Sequence, residues 1–478
     1  MADEPDETEE GSWWDKPWPY FVGAALLLVV AVASQFEIRR PAVSFGTVED
    51  LAALSERDDL NVVFLLIDTL RADHLGIYGY ERDTSPNIDA LAQGGVVFKE
   101  MVSQSSWTKT SMASLWTATR PLNNGIVHYD HVIPDVATLP AEVFKEAGYR
   151  TAGIYRNGWV APNFGFKQGF DTYIKPLAGR ERARIARKNP SGSFLAGTDE
   201  DLIVSAKEFL DNYGHQKFFL YIHFMDVHQY VYDNGAARFG TSYLDVYDQS
   251  IHWSDRLLAH FVEELSERGL RRKTLLVIAA DHGEAFQEHG WEGHAKNLYR
   301  EVTNVPFIII PPFYIEGGIE VDTLASNMDL WPTILDLVGL PPMPHVDGVS
   351  LVPIVLAAGA AADAPSTEGL ERPAFGQLNI GWGRRGIEPN PLIALQDGDL
   401  QLFYPLAKPE RIELYDHSTD PGQMENVQAE RPEDTARLRA MVDGYVASAS
   451  SPWGVEPERK EVSELMLGQL KALGYVVK

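Results

Sequence analysis

Short apolar runs that end on chemically active residues recur along this chain. Asn61–Ile67 (NVVFLLI) is almost wholly apolar and stops at Asp68. Thr274–Ala280 (TLLVIAA) stops at Asp281-His282-Gly283-Glu284, and Phe218–Phe224 (FFLYIHF) stops before Met225-Asp226-Val227-His228. Runs of this length without polar alternation predict strands buried on both faces, as in a parallel sheet. Open α/β sheets bind ligands just beyond the carboxyl ends of their strands. Residues at those ends are therefore the first candidates for chemistry.

Helical patterns alternate with the runs. Asn87–Ala92 leads into a strand-like Val96–Phe98, and Ser111–Thr117 reads as the start of a helix. Leu139–Ala147 is amphipathic and ends at Gly148, Thr151–Tyr155 is the next strand, and Asp255–Arg268 is a helix of strong period. Phe307–Ile310 is a strand closed by Pro311-Pro312, while the basic Lys175–Lys188 reads as a solvated excursion. Such alternation predicts an α/β fold with a mostly parallel sheet and helices on both faces. The texture changes after Leu356: Ala357–Glu371 is loop-like, and Pro373–Tyr415 reads as short strands of a small antiparallel sheet. Arg431–Ala449 and Glu461–Leu473 read as helices. The resulting division is a body over 61–356 and a C-terminal subdomain over 357–478.

The first 60 residues follow another logic. Residues 1–17 read as an acidic tail, 18–36 as a transmembrane anchor and 37–60 as a linker. Phe21–Ala33 carries no charge, and Tyr20–Phe36 is at the short end of what spans a bilayer. Trp13, Trp14, Trp18 and Tyr20 resemble an interfacial belt. Ala31-Val32-Ala33 fits a signal-cleavage pattern, yet MADEPDETEE lacks the positive n-region of a signal peptide, which favours an uncleaved single-pass anchor. Arg39 and Arg40 follow the span and only Lys16 precedes it, so charge bias prefers the C-terminal bulk in the cytoplasm.

Composition narrows the functions. The 478 residues are 45% apolar, enough for a large core and against a disordered chain. A formal net charge of −27 argues against a nucleic-acid surface and requires local cations or metal to draw in an anionic substrate. Without any cysteine there is no disulfide, thiolate metal site or cysteine nucleophile. A carboxylate and an imidazole at strand ends suit a divalent ion such as Zn²⁺ or Mn²⁺, and Asp68 and Asp281-His282 are the residues to share it.

These segments carry a resemblance. FLLIDTLRADHLGIYGY, FFLYIHFMDVHQY, ADHGEAFQEHG, NMDLWPTILDLVGLP, DGVSLVP, ELYDHSTDP and LKALGYV, in this order, resemble the sulfatase branch of the alkaline phosphatase superfamily. The likeness runs from Asn61 to Lys478. It implies an alkaline-phosphatase-like fold, one or two divalent ions (Zn, Mn or Ca), and a nucleophile at a helix N-terminus beside the metal. That position falls in Ser106-Trp107-Thr108-Lys109-Thr110-Ser111-Met112. Sulfatases of the formylglycine type read Cys or Ser, any residue, Pro, any residue, Arg there. Here Thr108 stands at the nucleophile, Thr110 at the Pro and Met112 at the Arg. Threonine is not a substrate for formylglycine formation, and the chain is in this respect similar to phosphoethanolamine transferases, lipoteichoic-acid synthases and nucleotide phosphodiesterases, which attack phosphorus with Thr.

The resemblance also distributes roles. Asp68, Thr108, Asp281 and His282 are expected at the metal, with Asp226 and His294 completing a second ion site. His228 is expected to contact the transferred anionic group or the second ion, Lys296 to contact the transferred group, His289 to hold its loop, Asp73 to cap a short helix, and Lys109 to offset substrate charge or face solvent. The expected activity is that of a membrane-anchored, metal-dependent hydrolase or transferase of phosphate or sulfate esters, with an envelope glycan or lipid head group as substrate and no nucleic acid. Family habit puts the catalytic body outside the cytoplasm, against the charge bias. A non-catalytic, membrane-tethered scaffold on the same fold is the competing expectation, favoured by the missing Arg and Pro.

Overall fold

The computed structural model describes residues 44–177, 197–232, 238–361, 364–383 and 390–462, with Pro17, Trp18, Phe21, Val22 and Gly468 besides. The expected anchor, most of the acidic tail, the basic stretch after residue 177 and the helix expected from Glu461 lie outside these residues, isolated positions aside. Among the described residues no helix is long and apolar enough to cross a membrane.

Eight strands form the main sheet: β1 (Asn61–Ile67), β2 (Val96–Phe98), β3 (Arg150–Ile154), β4 (Thr172–Ile174), β5 (Phe218–Phe224), β6 (Thr274–Ala279), β7 (Phe307–Ile310) and β8 (Ile319–Val321). Their order across the sheet is β8-β2-β7-β6-β1-β5-β3-β4. All neighbours are parallel except around β7, which runs antiparallel to both β2 and β6. Every residue of β1, β5 and β6 is buried, which is why these strands read as continuous apolar runs. The register matters more than the order. Leu66 of β1 lies opposite Ala279 of β6 and His223 of β5. Asp68 and Asp281 each stand two residues beyond a paired position, so they leave the sheet at one level and on one face.

The helix α1 (Thr108–Thr117) is buried at all ten positions. It has no solvent face, which explains why its small and apolar residues show no amphipathic pattern. Aromatic side chains fix it to the sheet: Phe64 of β1 stacks on Tyr221 of β5 at 5.6 Å and meets Trp116 of α1 edge-on at 6.0 Å. Trp331, on the helix Leu330–Leu337, closes that layer at 5.0 Å from Phe64. Each such pair is worth about 0.5–1.5 kcal/mol beyond the area it buries. The opposite face is covered by α2 (Asp199–Tyr213), whose Phe209 packs edge-on against Phe218 at 5.6 Å. The helix expected at Asp255–Arg268 is longer, α3 (Tyr243–Glu267), and starts from a capping box between Ser242 and Asp245.

The C-terminal sheet is antiparallel and four-stranded: β9 (Ala374–Asn379), β10 (Pro391–Asp397), β11 (Leu400–Pro405) and β12 (Glu413–Asp416). One of its faces packs under α4 (Pro432–Ala447) through Leu395, Leu402, Leu414, Leu438 and Val442. The other joins the main core, since Trp382, Phe403 and Tyr415 belong to the same apolar cluster as β1 and β6.

Candidate metal centre and active site

The strand ends converge. Ligand atoms of Asp68, Asp281 and His282 lie within 4.8 Å of one another, and all three residues are fully buried. Two oxygens in this group, Asp68 Oδ1 and Asp281 Oδ2, are buried and accept no hydrogen bond. An unpaired buried carboxylate oxygen costs about 1–3 kcal/mol or more unless a cation meets it. Nδ1 of His282 lies 2.9 Å from the Gly283 carbonyl and donates to it, which leaves Nε2 with its lone pair toward the carboxylates. One nitrogen and two carboxylate oxygens with unspent lone pairs are a donor set that fits a divalent ion.

Backbone geometry sets the carboxylates. Thr69 adopts φ 61°, a left-handed conformation unusual for a β-branched residue. The turn is held by Tyr247 of α3, whose hydroxyl donates to the Thr69 carbonyl at 2.7 Å and accepts from Arg71 N at 3.0 Å. Thr69 N donates to Asp281 Oδ1 at 3.3 Å, linking the two strand ends. At Gly283 a side chain would meet the Glu301 carbonyl at 2.2 Å, so only glycine fits between the strand end and that backbone.

Thr108 is the first residue of α1, and its Oγ1 lies 3.0 Å from His282 Nε2. The helix is tied to the strand end by Ser111, which donates to the Asp281 carbonyl at 2.5 Å, as Ser103 also does. The positive end of the helix dipole therefore faces the carboxylates. Met112, at the position where formylglycine sulfatases keep Arg, is fully buried in the core.

The other expected residues divide into those near the cluster and those drawn away. The His294 ring is 4.5 Å from that of His282 and 5.0 Å from that of His228, so three imidazoles share one wall. Both oxygens of Glu284 face His294 Nδ1, at 3.1 and 3.3 Å. Asp226, expected at a second ion, is turned away. Its oxygens are taken by Arg156, by Asp199 N and by the Trp253 indole, with Arg156 at 2.5 Å. Arg156 pairs equally with Asp199 at 2.5 Å, so the second ion site loses that carboxylate to a buried ionic network. Lys296 is exposed, its Nζ donating to the Glu292 carbonyl. Asp73 is an exposed partner of Arg71 at 2.7 Å. His289 holds its loop to the C-terminal sheet region: Nδ1 meets Glu301 at 2.9 Å, Nε2 the Gln423 carbonyl at 2.9 Å, and the ring stacks on Tyr299 at 3.8 Å. Lys109 neither faces solvent nor points at the cluster. It is buried, with Nζ donating to the Tyr129 carbonyl at 2.5 Å and lying 3.5 Å from the Phe164 ring centre.

Sequence reasoning passed over the supporting residues. Asn157, after the end of β3, donates to Asp68 Oδ2 at 2.6 Å, and His223 donates to the same oxygen from Nε2 at 3.0 Å. His223 Nδ1 then accepts from the Tyr221 hydroxyl at 2.7 Å, giving a relay into the sheet. A lone histidine inside an otherwise apolar strand was the available signal.

The charges are strongly coupled. Burial opposes the ionised form of Asp68, but His228, His223 and His282 hold it well below the usual carboxylate range. Burial and the charge of Asp68 push Asp281 up. Burial pushes His228 down to about 4. In the dyad, burial is outweighed by attraction: His294 is raised by Glu284, and Glu284 is lowered by His294. Burial alone drives Lys109 well below the ordinary lysine value.

Strand-end carboxylates, a strand-end histidine and a hydroxyl at a buried helix N-terminus thus meet at one end of an α/β sheet. The Sulfatase family model matches residues 60–340, and the chain belongs to that family. It is 22% identical over 463 residues to the delta 4,5-hexuronate-2-O-sulfatase of Bacteroides thetaiotaomicron, covering 84% of this chain and 92% of that protein. It is 27% identical over 203 residues to arylsulfatase K of Xenopus laevis, covering 41% of this chain and only 36% of that relative's length. In structure it is similar to the phosphonate monoester hydrolase of Agrobacterium radiobacter, with a TM-score of 0.63 and 19% identity over 81% of this chain and 95% of that one.

Proposed function

We propose that the chain is a metal-dependent hydrolase or transferase of sulfate or phosphate esters in which Thr108 is the nucleophile. The observation that carries this reading is the meeting of Thr108 Oγ1 and His282 Nε2 at 3.0 Å beside two carboxylate oxygens with unspent lone pairs. Asp68, Asp281, His282 and Thr108 would hold a divalent ion, which supplies Lewis acidity and a lower hydroxyl pKa. The N-terminus of α1 stabilises negative charge on Thr108 Oγ1. His228 would donate to a non-bridging oxygen of the ester, and His294, its ring 5.0 Å away, would protonate the leaving oxygen. Glu284 meets His294 at Nδ1 and favours its protonated ring. Attack by Thr108 expels the alcohol and leaves a sulfo- or phospho-threonine ester, which water or an acceptor alcohol clears.

Threonine in place of an oxidisable Cys or Ser favours attack at phosphorus over sulfate hydrolysis. The likeness to a hexuronate sulfatase and to a phosphonate monoester hydrolase keeps both ester classes within reach. An envelope glycan or a lipid head group fits a body tethered by residues 18–36 and held outside the cytoplasm, a placement that a C-terminal fusion reporter decides. A purely scaffolding role is disfavoured by the buried carboxylates, which would be a standing cost without an ion. The experiment compares bis-p-nitrophenyl phosphate with p-nitrophenyl sulfate in Mn²⁺ or Zn²⁺, followed by mass spectrometry of the Thr108 peptide after quenching. A phosphoryl or sulfuryl adduct on Thr108 is expected. Turnover without such an adduct and undiminished in Thr108→Ala would refute the reading.

A further inference from the structure

We propose that His128, Asp130 and His131 form a second divalent-cation site, of a kind suited to Zn²⁺, on the loop that follows the short helix Pro121–Asn124. None of the three belongs to the strand-end cluster. His128 Nδ1 lies 2.6 Å from Asp130 Oδ1, and His131 Nε2 lies 3.9 Å from the same oxygen. The imidazole rings are 5.6 Å apart and tilted by 46°, so they approach one carboxylate from two sides. One ligand atom from each residue lies within 4.8 Å of the others. Donors at about 2.0–2.2 Å from a common tetrahedral ion are separated by similar spans, and two imidazoles with a carboxylate are a borderline donor set that zinc favours.

His131 is set for ligation. Its Nδ1–H donates to the Gly125 carbonyl at 2.7 Å, which leaves the lone pair on Nε2, the nitrogen that faces Asp130. The side chains of His128, Asp130 and His131 are 8%, 18% and 10% exposed, which shields the carboxylate from bulk water and still admits an ion.

The backbone needs no rearrangement to receive it. Lys109 Nζ grips the Tyr129 carbonyl at 2.5 Å, Lys460 N donates to the Asp130 carbonyl at 2.9 Å, and His131 and Val132 pair with Arg459 and Glu458. Two cations act on the cluster. Arg459 faces Asp130 and His131, and Lys109, buried against Phe164, faces His131. Binding takes the place of the His128 Nδ1–Asp130 Oδ1 hydrogen bond, with the His128 proton carried on Nε2 so that Nδ1 offers its lone pair. An ion there clamps three segments together: the loop, the chain at 458–460 and, through Lys109, the first turn of α1.

The test is zinc stoichiometry by elemental analysis of the full chain, stripped with chelator, reloaded with Zn²⁺ and desalted. His128→Gln/His131→Gln is expected to carry one equivalent less than the unaltered protein while keeping its circular dichroism spectrum. Asp68→Ala/Asp281→Ala is expected to keep an equivalent that His131→Gln then removes. Replacement by Co²⁺ in that background is expected to give a visible absorption band that disappears with His131→Gln. Unchanged zinc content in His128→Gln/His131→Gln overturns the proposal whatever happens at the strand ends. Should Asp68→Ala/Asp281→Ala fail to fold, the count in the histidine variant decides alone.

Discussion

Thr108 Oγ1 and His282 Nε2, 174 positions apart in sequence, lie 3.0 Å from each other at the mouth of the parallel sheet. The contact depends on two placements. Ser111 ties α1 to the Asp281 carbonyl, and Gly283 lets the strand end pass against the Glu301 backbone. If the hydroxyl attacks the ester, Thr108→Ala lowers kcat/KM by roughly three orders of magnitude or more, as removal of a nucleophile does elsewhere. Thr108→Ser keeps measurable turnover. The alanine variant gives up one buried hydroxyl and its contact with His282, so it should melt within about 1–3 kcal/mol of the parent. Initial rates and thermal melts of the two variants check this, and an active alanine variant would remove the nucleophile.

Asp281 should show opposite effects on stability and on metal binding. Burial and the charge of Asp68 raise its pKa, so without an ion its ionised form is a burden on the fold. A raised folded pKa contributes stability at low pH that is lost as pH rises through it. Asp281→Asn is therefore expected to raise the melting temperature of chelator-treated protein at neutral pH and, in the same sample, to weaken Zn²⁺ or Mn²⁺ uptake. Calorimetry with and without metal reads both. A variant that loses stability and keeps its metal contradicts the assignment.

Asn157 and His223 act through Asp68. Each donates to Oδ2, at 2.6 and 3.0 Å, and so leaves Oδ1 as the oxygen aimed at the ion. Partners of this kind typically contribute 10–100-fold in metal affinity. Asn157→Ala and His223→Phe are each expected to weaken metal binding by about that factor, with kcat largely restored at saturating metal. A loss of kcat that excess metal does not rescue would point to a role other than orientation.

Away from the site, Asp255 gives a clean pH test. It is fully buried on α3 and accepts from Ile88 N at 2.7 Å and Asn87 Nδ2 at 2.6 Å, at the start of the helix Pro86–Ala92. Burial raises it to about 6. Its stabilising contribution is full below the unfolded carboxylate value and is lost as pH rises toward 6. At 1.36 kcal/mol per pKa step that is about 3 kcal/mol at most. Denaturant unfolding between pH 4 and 7 is expected to show this fall, and Asp255→Asn to flatten it. A slope that persists in the variant would assign it to other groups.

How much of this was written in the sequence follows from what a local pattern encodes. The runs at Asn61–Ile67, Phe218–Phe224 and Thr274–Ala280 announce central strands because such strands are buried on both faces. Pattern carries no direction, so the antiparallel β7 was read with the rest. α2 escaped because its acidic first turn masks an apolar stripe at Leu202, Ile203, Ala206, Phe209 and Leu210. Residues next to strand ends were legible as a group, since topology sends those ends to one place. Partners from far along the chain were not. Arg156, 70 positions before Asp226, claims that carboxylate. Tyr129, 20 positions after Lys109, takes its Nζ into the core. Both outcomes depend on tertiary placement, which spacing alone does not contain.

The most direct measurement is anomalous diffraction from crystals grown with Mn²⁺ or Zn²⁺. The expected result is a peak about 2.0–2.2 Å from Asp68 Oδ1, Asp281 Oδ2 and His282 Nε2, with Thr108 Oγ1 at the same range. A strand-end cluster that stays without an anomalous peak at saturating metal, or an ion that leaves Thr108 beyond coordination reach, would contradict a metal-activated threonine.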